Sequence, residues 1–139
     1  MKTLVVDDSS GDRKLVEKAF ERVPVPTEFY AVENGKEAVE FLRREGEYEE
    51  VPRPGLVLLD LNMPVKGGKE VLEEIRNEAS LGRIPVVALT SSEDEADIVD
   101  VYELGANAYI TKPTGFGELV EKVTGVCEFW YRVAKVQEQ

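Results

Sequence analysis

VLLDLNMP, residues 57–64, begins as an unbroken oily run, carries a single aspartate at position 60, and is closed by a proline four residues later. Continuous rather than alternating apolar residues mark a strand covered on both faces. A buried carboxylate without a partner is expensive, so it neutralises or finds one. Asp60 is therefore either a cap or turn residue of no further consequence, or a group placed there for chemistry.

Outward from this stretch the chain alternates regularly. Apolar β-type runs occur at 3–7 (TLVVD), 28–32 (EFYAV), 56–60 (LVLLD), 85–90 (PVVALT) and 107–111 (NAYIT). Between them apolar residues recur at helical spacing. Leu15, Val16, Ala19, Phe20 and Val23 form one stripe, and Ala38, Val39, Phe41 and Leu42 a second, after Asn34 as N-cap. Val71, Leu72 and Ile75 form a third, and Ala96, Val99 and Leu104 a fourth. The fourth is opened by Ser92 with Glu95 three residues on, a capping box. A last helix is predicted over about 114–136, carrying Phe116, Leu119, Val120, Val123, Cys127 and Trp130. Five strands alternating with five helices predict an α/β fold with a doubly wound parallel sheet. The whole chain, 1–139, reads as one domain, and the acidic stretch 45–55 (EGEYEEVPRPG) as a long exposed loop.

Composition removes several function classes. The chain has no histidine, which excludes Ser-His-Asp chemistry, His-ligated zinc and a histidine phosphodonor. Its single cysteine, Cys127, allows no internal disulfide and fits a cytoplasmic setting. A net charge of −11 argues against nucleic acid as a partner. No run approaches the ~18 apolar residues of a membrane span, and the N-terminus has no signal-peptide pattern.

The ends of the predicted strands carry the chemistry. The first stops at Asp7-Asp8, the third at Asp60, the fourth at Thr90-Ser91, and the fifth runs into Lys112-Pro113. In a parallel sheet all carboxyl ends lie on one edge, where ligands bind at the switch in strand order. Singly, each residue reads as a cap, a turn former or a solvated lysine. Jointly, five suitable residues at four strand ends point to one site. Two carboxylates ~5 Å apart repel by about 3 kcal/mol at an effective dielectric near 20, so a cluster of three needs positive charge among them. Lys112 supplies part of it, and a hard divalent cation such as Mg²⁺ supplies the rest. Asp7 and Asp8 would hold the metal. Asp60 would give it one oxygen and use the other to attack phosphorus, forming an aspartyl phosphate.

At these residues the chain resembles a response-regulator receiver domain of the CheY-like type: D-D after strand one, LLDLNMP at strand three, ALT-S at strand four, YITKP at strand five. The resemblance implies a flavodoxin-like five-stranded sheet of order 2-1-3-4-5. It assigns Asp60 as phosphoacceptor, Asp8 as direct metal ligand, Asp7 as its acidic neighbour and Asn62 as the donor of a backbone carbonyl to the metal. Thr90 matches the switch hydroxyl, Lys112 the phosphoryl-binding lysine, Tyr109 the switch aromatic, and Lys112-Pro113 a bond often cis in the family. It further implies a two-component phosphorelay, with a sensor histidine kinase as donor, a downstream protein as target, and a phosphoacceptor that catalyses its own phosphorylation and dephosphorylation rather than a turnover enzyme.

Two features extend the comparison. No output domain is expected after the last helix. Phe129, Trp130 and Tyr131 are consecutive, so one helix cannot turn all three to its own core. An aromatic surface for a partner chain, with homodimerisation through this region, is expected; the alternative is a helix that kinks and packs back. With the 45–55 loop, this ending is similar to stand-alone receivers serving phytochrome-type kinases. Other classes fit less well. A haloacid-dehalogenase-like phosphatase wants its nucleophile after strand one in a D-x-D pattern, and a flavodoxin wants a Ser/Thr/Gly-rich phosphate loop where this chain has DDSSGD. A receiver-like interaction domain unregulated by phosphorylation is disfavoured by the intact acidic site.

Overall fold

The apolar strands and amphipathic segments assemble as their spacing predicts. The structure, a computed structural model, describes residues 2–133. In chain order the elements are β1 (Lys2–Val6), α1 (Ser10–Phe20), β2 (Glu28–Val32), α2 (Gly35–Arg43), β3 (Leu56–Leu59), α3 (Gly68–Arg76), β4 (Val86–Thr90), α4 (Glu95–Glu103), β5 (Ala108–Thr111) and α5 (Phe116–Glu128). The strands form one sheet in the order β2-β1-β3-β4-β5, and every neighbouring pair is parallel.

Successive strand residues point to opposite faces, and the two cores divide accordingly. Leu4, Val6, Val57, Leu59, Val86 and Ala88 meet Ala38, Leu42, Val71, Leu72, Ile75 and Val101 of α2, α3 and α4. Val5, Leu58, Val87 and Leu89 meet Val16, Ala19 and Phe20 of α1 and Leu119, Val123 and Cys127 of α5. Both faces are covered by helices, so β1, β3 and β4 have no solvent face to show. Each fully buried Leu or Val contributes about 1.5–3 kcal/mol of transfer free energy. Asn34 caps α2 as predicted, its Oδ1 accepting from Glu37 N at 2.8 Å.

Several details depart from the sequence expectations. Asp94, not Ser92, caps α4, accepting from Ala96 N at 2.9 Å. Ser92 instead donates through Oγ to Asp97 Oδ2 at 2.6 Å, so no capping box forms. The buried face of α4 turns on Val101, with Ile98 and Leu104 half-buried, leaving Ala96 and Val99 in solvent. Leu15 of α1 is likewise exposed. The stretch 45–55 is not simply exposed: Gly46–Tyr48 forms a 3-10 turn, Tyr48 packs at a tilt against Phe41 with 5.3 Å between centroids, and Pro54 is buried. No cis peptide bond occurs among the described residues, so Lys112-Pro113 is trans, the isomer favoured even before proline.

The last helix starts two residues later than predicted and widens at its end. Gly115 is the N-cap of α5, and Phe129–Val133 continue as a π turn. The change of pitch swings Tyr131 back to the sheet, where its hydroxyl bonds Thr3 Oγ1 at 2.7 Å and donates to Lys2 O at 2.9 Å. Trp130 also packs on the α1/α5 core, while Phe129 stays half-exposed. The chain thus folds two of the three aromatics back and leaves one outside. Residues 134–136 of the predicted helix lie outside the described residues.

Candidate functional site

Strand register places the acidic residues. Val6 pairs with Leu59, so Asp7 and Asp60, each the next residue, leave the sheet side by side where the strand order reverses. Asp7, Asp8 and Asp60 offer carboxylate oxygens that all lie within 4.8 Å of one another, the first and last buried and Asp8 exposed. Asp7 is held on three sides. Its Oδ1 accepts from Ser9 N at 3.0 Å, its Oδ2 from Lys112, and its carbonyl from Arg13 at 2.7 Å. Asp60 Oδ1 accepts from Leu61 N at 2.8 Å, which leaves Oδ2 turned to the site.

Lys112 reaches the cluster from the end of β5, an edge strand of the sheet. Thr90 pairs with Thr111, and Lys112 N donates to Thr90 O at 2.7 Å, fixing its backbone beside the end of β4. The ammonium crosses to α1, donating to Asp7 Oδ2 at 2.6 Å and Asp12 Oδ2 at 2.9 Å. It stands 3.5 Å from Asp60 Oδ2. Burial alone would push this ammonium down, yet the bonds to Asp7 and Asp12 and the charge of Asp60 carry it above its ordinary value. Burial lifts the Asp7 carboxyl above its usual range; bonds from Lys112 and Ser9 pull it back, and the Asp60 charge adds to the rise. Burial thus outweighs the stabilising bonds at Asp7, and the cluster as a whole is short of positive charge. A single ammonium bridges Asp7, Asp12 and Asp60, and the Asp8 carboxylate stands beside those of Asp7 and Asp60. Three converging hard oxygen donors with surplus negative charge fit a divalent cation.

Asp7, Asp8, Asp60 and Lys112 are therefore brought together as the strand ends require. Thr90 lies at the same edge, fully buried; its hydroxyl accepts from Ser92 N at 3.4 Å. Tyr109 is half-buried and its hydroxyl donates to Ser92 O at 2.7 Å, tying β5 to the loop after Thr90. Asn62 is exposed, two residues past Asp60. The loop it begins is tightly made. A Cβ on Gly68 would collide with Asp60 O, so only glycine lets α3 start against the end of β3. Asp12 is the site residue that sequence reasoning missed; its one signal is an acid in the first turn of the helix that follows Asp7-Asp8.

Comparison with known proteins agrees with this geometry. Residues 3–124 match the response regulator receiver domain. Response regulator Rcp1 of Synechocystis sp. (strain ATCC 27184 / PCC 6803 / Kazusa) is 44% identical over 127 residues, covering 91% of this chain and 86% of that protein. The crystal structure of the phosphorylated cyanobacterial phytochrome response regulator RcpA matches with a TM-score of 0.93 and 44% identity, over 99% of this chain and 98% of that one. The Mn(2+)-bound form of response regulator Rcp1 matches with a TM-score of 0.90 and 41% identity, over 99% of both chains. A five-stranded 2-1-3-4-5 sheet, an acidic trio at its switch point and a match along nearly the whole described chain have one reading: this chain belongs to the response regulator receiver domain family.

Proposed function

We propose that Asp60 is the phosphoacceptor of a two-component phosphorelay, charged by a sensor histidine kinase in a Mg²⁺-dependent reaction. The observation that carries this reading is the convergence of Asp7, Asp8 and Asp60 within 4.8 Å, with the Lys112 ammonium 3.5 Å from Asp60 Oδ2. Asp7, Asp8, Asp60 and the backbone carbonyl of Asn62 would hold the cation, which supplies charge neutralisation at the phosphoryl oxygens. The chain's own residues do the rest. Asp60 Oδ2 attacks phosphorus in line, the bond from phosphorus to the donor atom breaks, and the leaving group takes the electron pair. Lys112 faces the charge that develops on the transferring group. Thr90 donates its hydroxyl to the phosphoryl group, and Tyr109, bonded to Ser92 O in the same loop, reports the change to α4 and β5.

The signal leaves through protein contacts. Val99 and Tyr102 of α4 are 54% and 48% exposed, and Phe129 beyond α5 is 50% exposed. These exposed apolar side chains suit contact with a downstream protein or a second copy of this chain. The likeness to RcpA and Rcp1 supports a phytochrome-type kinase as the donor and a cytoplasmic setting. No helix among the described residues is long and apolar enough to cross a membrane.

Intact-protein mass after incubation with acetyl phosphate and Mg²⁺ tests the assignment. One phosphoryl adduct is expected, absent in Asp60→Asn and in EDTA. An adduct of wild-type size on Asp60→Asn would remove Asp60 from the reaction.

A further inference from the structure

The Lys112 ammonium has three N–H donors, and two are spent on the α1 side, on Asp7 at 2.6 Å and Asp12 at 2.9 Å. Its distance to Asp60 Oδ2, 3.5 Å, is longer than the roughly 2.7–2.9 Å of a charge-assisted hydrogen bond. Asp12 is not one of the three carboxylates that converge for a cation. Among the described residues its charge partner is Lys112. Its place is set firmly, because Ser9 Oγ accepts from Asp12 N at 3.2 Å and the next residue, Arg13, is bound to Asp7 O at 2.7 Å. A negative charge in the first turn of α1 is also favoured by the helix dipole.

We infer that Asp12 is a positioning residue for phosphoryl transfer: it holds the Lys112 ammonium back from Asp60 and so slows both the gain and the loss of the phosphoryl group. The inference rests on Asp60 being the phosphoacceptor. In the gain, Asp60 Oδ2 bonds to phosphorus as the phosphorus–oxygen bond of acetyl phosphate breaks, and acetate leaves with the electron pair. In the loss, water bonds to phosphorus, the bond to Asp60 breaks with its electron pair returning to the carboxylate, and the water's proton leaves with inorganic phosphate or to solvent. Both transition states gather charge on the same equatorial oxygens. An ammonium free to advance lowers both barriers, and Asp12 opposes that advance equally in each direction.

The test compares wild type, Asp12→Asn and Asp12→Glu by intact mass. Adduct growth is followed with acetyl phosphate and Mg²⁺, and its decay after the donor is removed. Asp12→Asn keeps the Ser9 cap, which uses the backbone N–H. Both rate constants should rise by a common factor of about three to ten, the net effect on a barrier of one hydrogen bond to a half-exposed side chain. Asp12→Glu should stay near wild type, and the Mg²⁺ concentration for half-maximal rate should not move. A merely structural role would lower the rates or shift that concentration. Phosphorylated wild type alongside Asp12→Asn rates at or below it overturns the inference alone. A wild type that takes no phosphoryl group, or an Asp60→Asn variant that still does, overturns the phosphoacceptor reading and this inference with it.

Discussion

Replacing Asp60 by asparagine should stabilise the metal-free protein while abolishing its response to Mg²⁺. At the 4.8 Å limit of the trio, Asp60 and Asp7 repel by about 3.5 kcal/mol at an effective dielectric of 20. The pair with exposed Asp8 is screened to about half of that. Attraction to Lys112 at 3.5 Å returns about 4.7 kcal/mol on the same scale. The pairwise contributions nearly cancel, so burial decides. Asp60 is 7% exposed, and an ion so placed costs several kcal/mol that an amide of the same shape does not. Asparagine also keeps the bond from Leu61 N, seen at 2.8 Å to Oδ1. The net gain is about 2 kcal/mol, or about 8 °C in Tm for a chain of this length. Thermal unfolding by circular dichroism, in EDTA and in saturating Mg²⁺, reads it directly. Wild type should gain stability with Mg²⁺, by about 2.7 kcal/mol at one hundred times Kd, and Asp60→Asn should not. An Asp60→Asn protein that melts at or below wild type in EDTA would refute the reasoning, because burying the Asp60 ion would then cost nothing that the amide spares.

Two further outcomes follow from the structure. Val65 adopts φ 69, the left-handed region, and is 81% exposed, so a β-branched residue is strained with no burial in return. Val65→Gly should raise the urea midpoint, with a gain of about 1 kcal/mol; a lower midpoint would show that Val65 makes a stabilising contact. Burial pushes the Tyr131 hydroxyl from an ordinary 10.0 up to about 12. A raised folded-state value gives stability that is full below pH 10 and is lost as pH rises through about 12. Tyr131→Phe should cost about 1 kcal/mol at neutral pH, through the lost bonds to Thr3 and Lys2. It should also flatten the alkaline decline relative to wild type, and parallel declines would place the loss in another group.

Periodicity and strand ends in the sequence determined the sheet and most of the site. Unbroken apolar runs can exist only where both faces are covered, and residues one step past parallel strands share an edge whatever else the fold does. Asp7, Asp8, Asp60 and Lys112 were legible for that reason. Tertiary structure alone decided what depends on ångström-scale docking of distant segments. Which acids Lys112 meets depends on how the first turn of α1 sits beside the end of β5, a separation of 100 residues between Asp12 and Lys112. Whether Ser92 caps a helix or binds Asp97 depends on where α4 lies against α3, whose Lys69 holds Asp97 at 2.6 Å. The return of Tyr131 to β1 depends on a widened turn that leaves no periodic mark. Local pattern reflects burial averaged over a face, whereas a hydrogen bond needs one atom in one place, and only the packed chain supplies that.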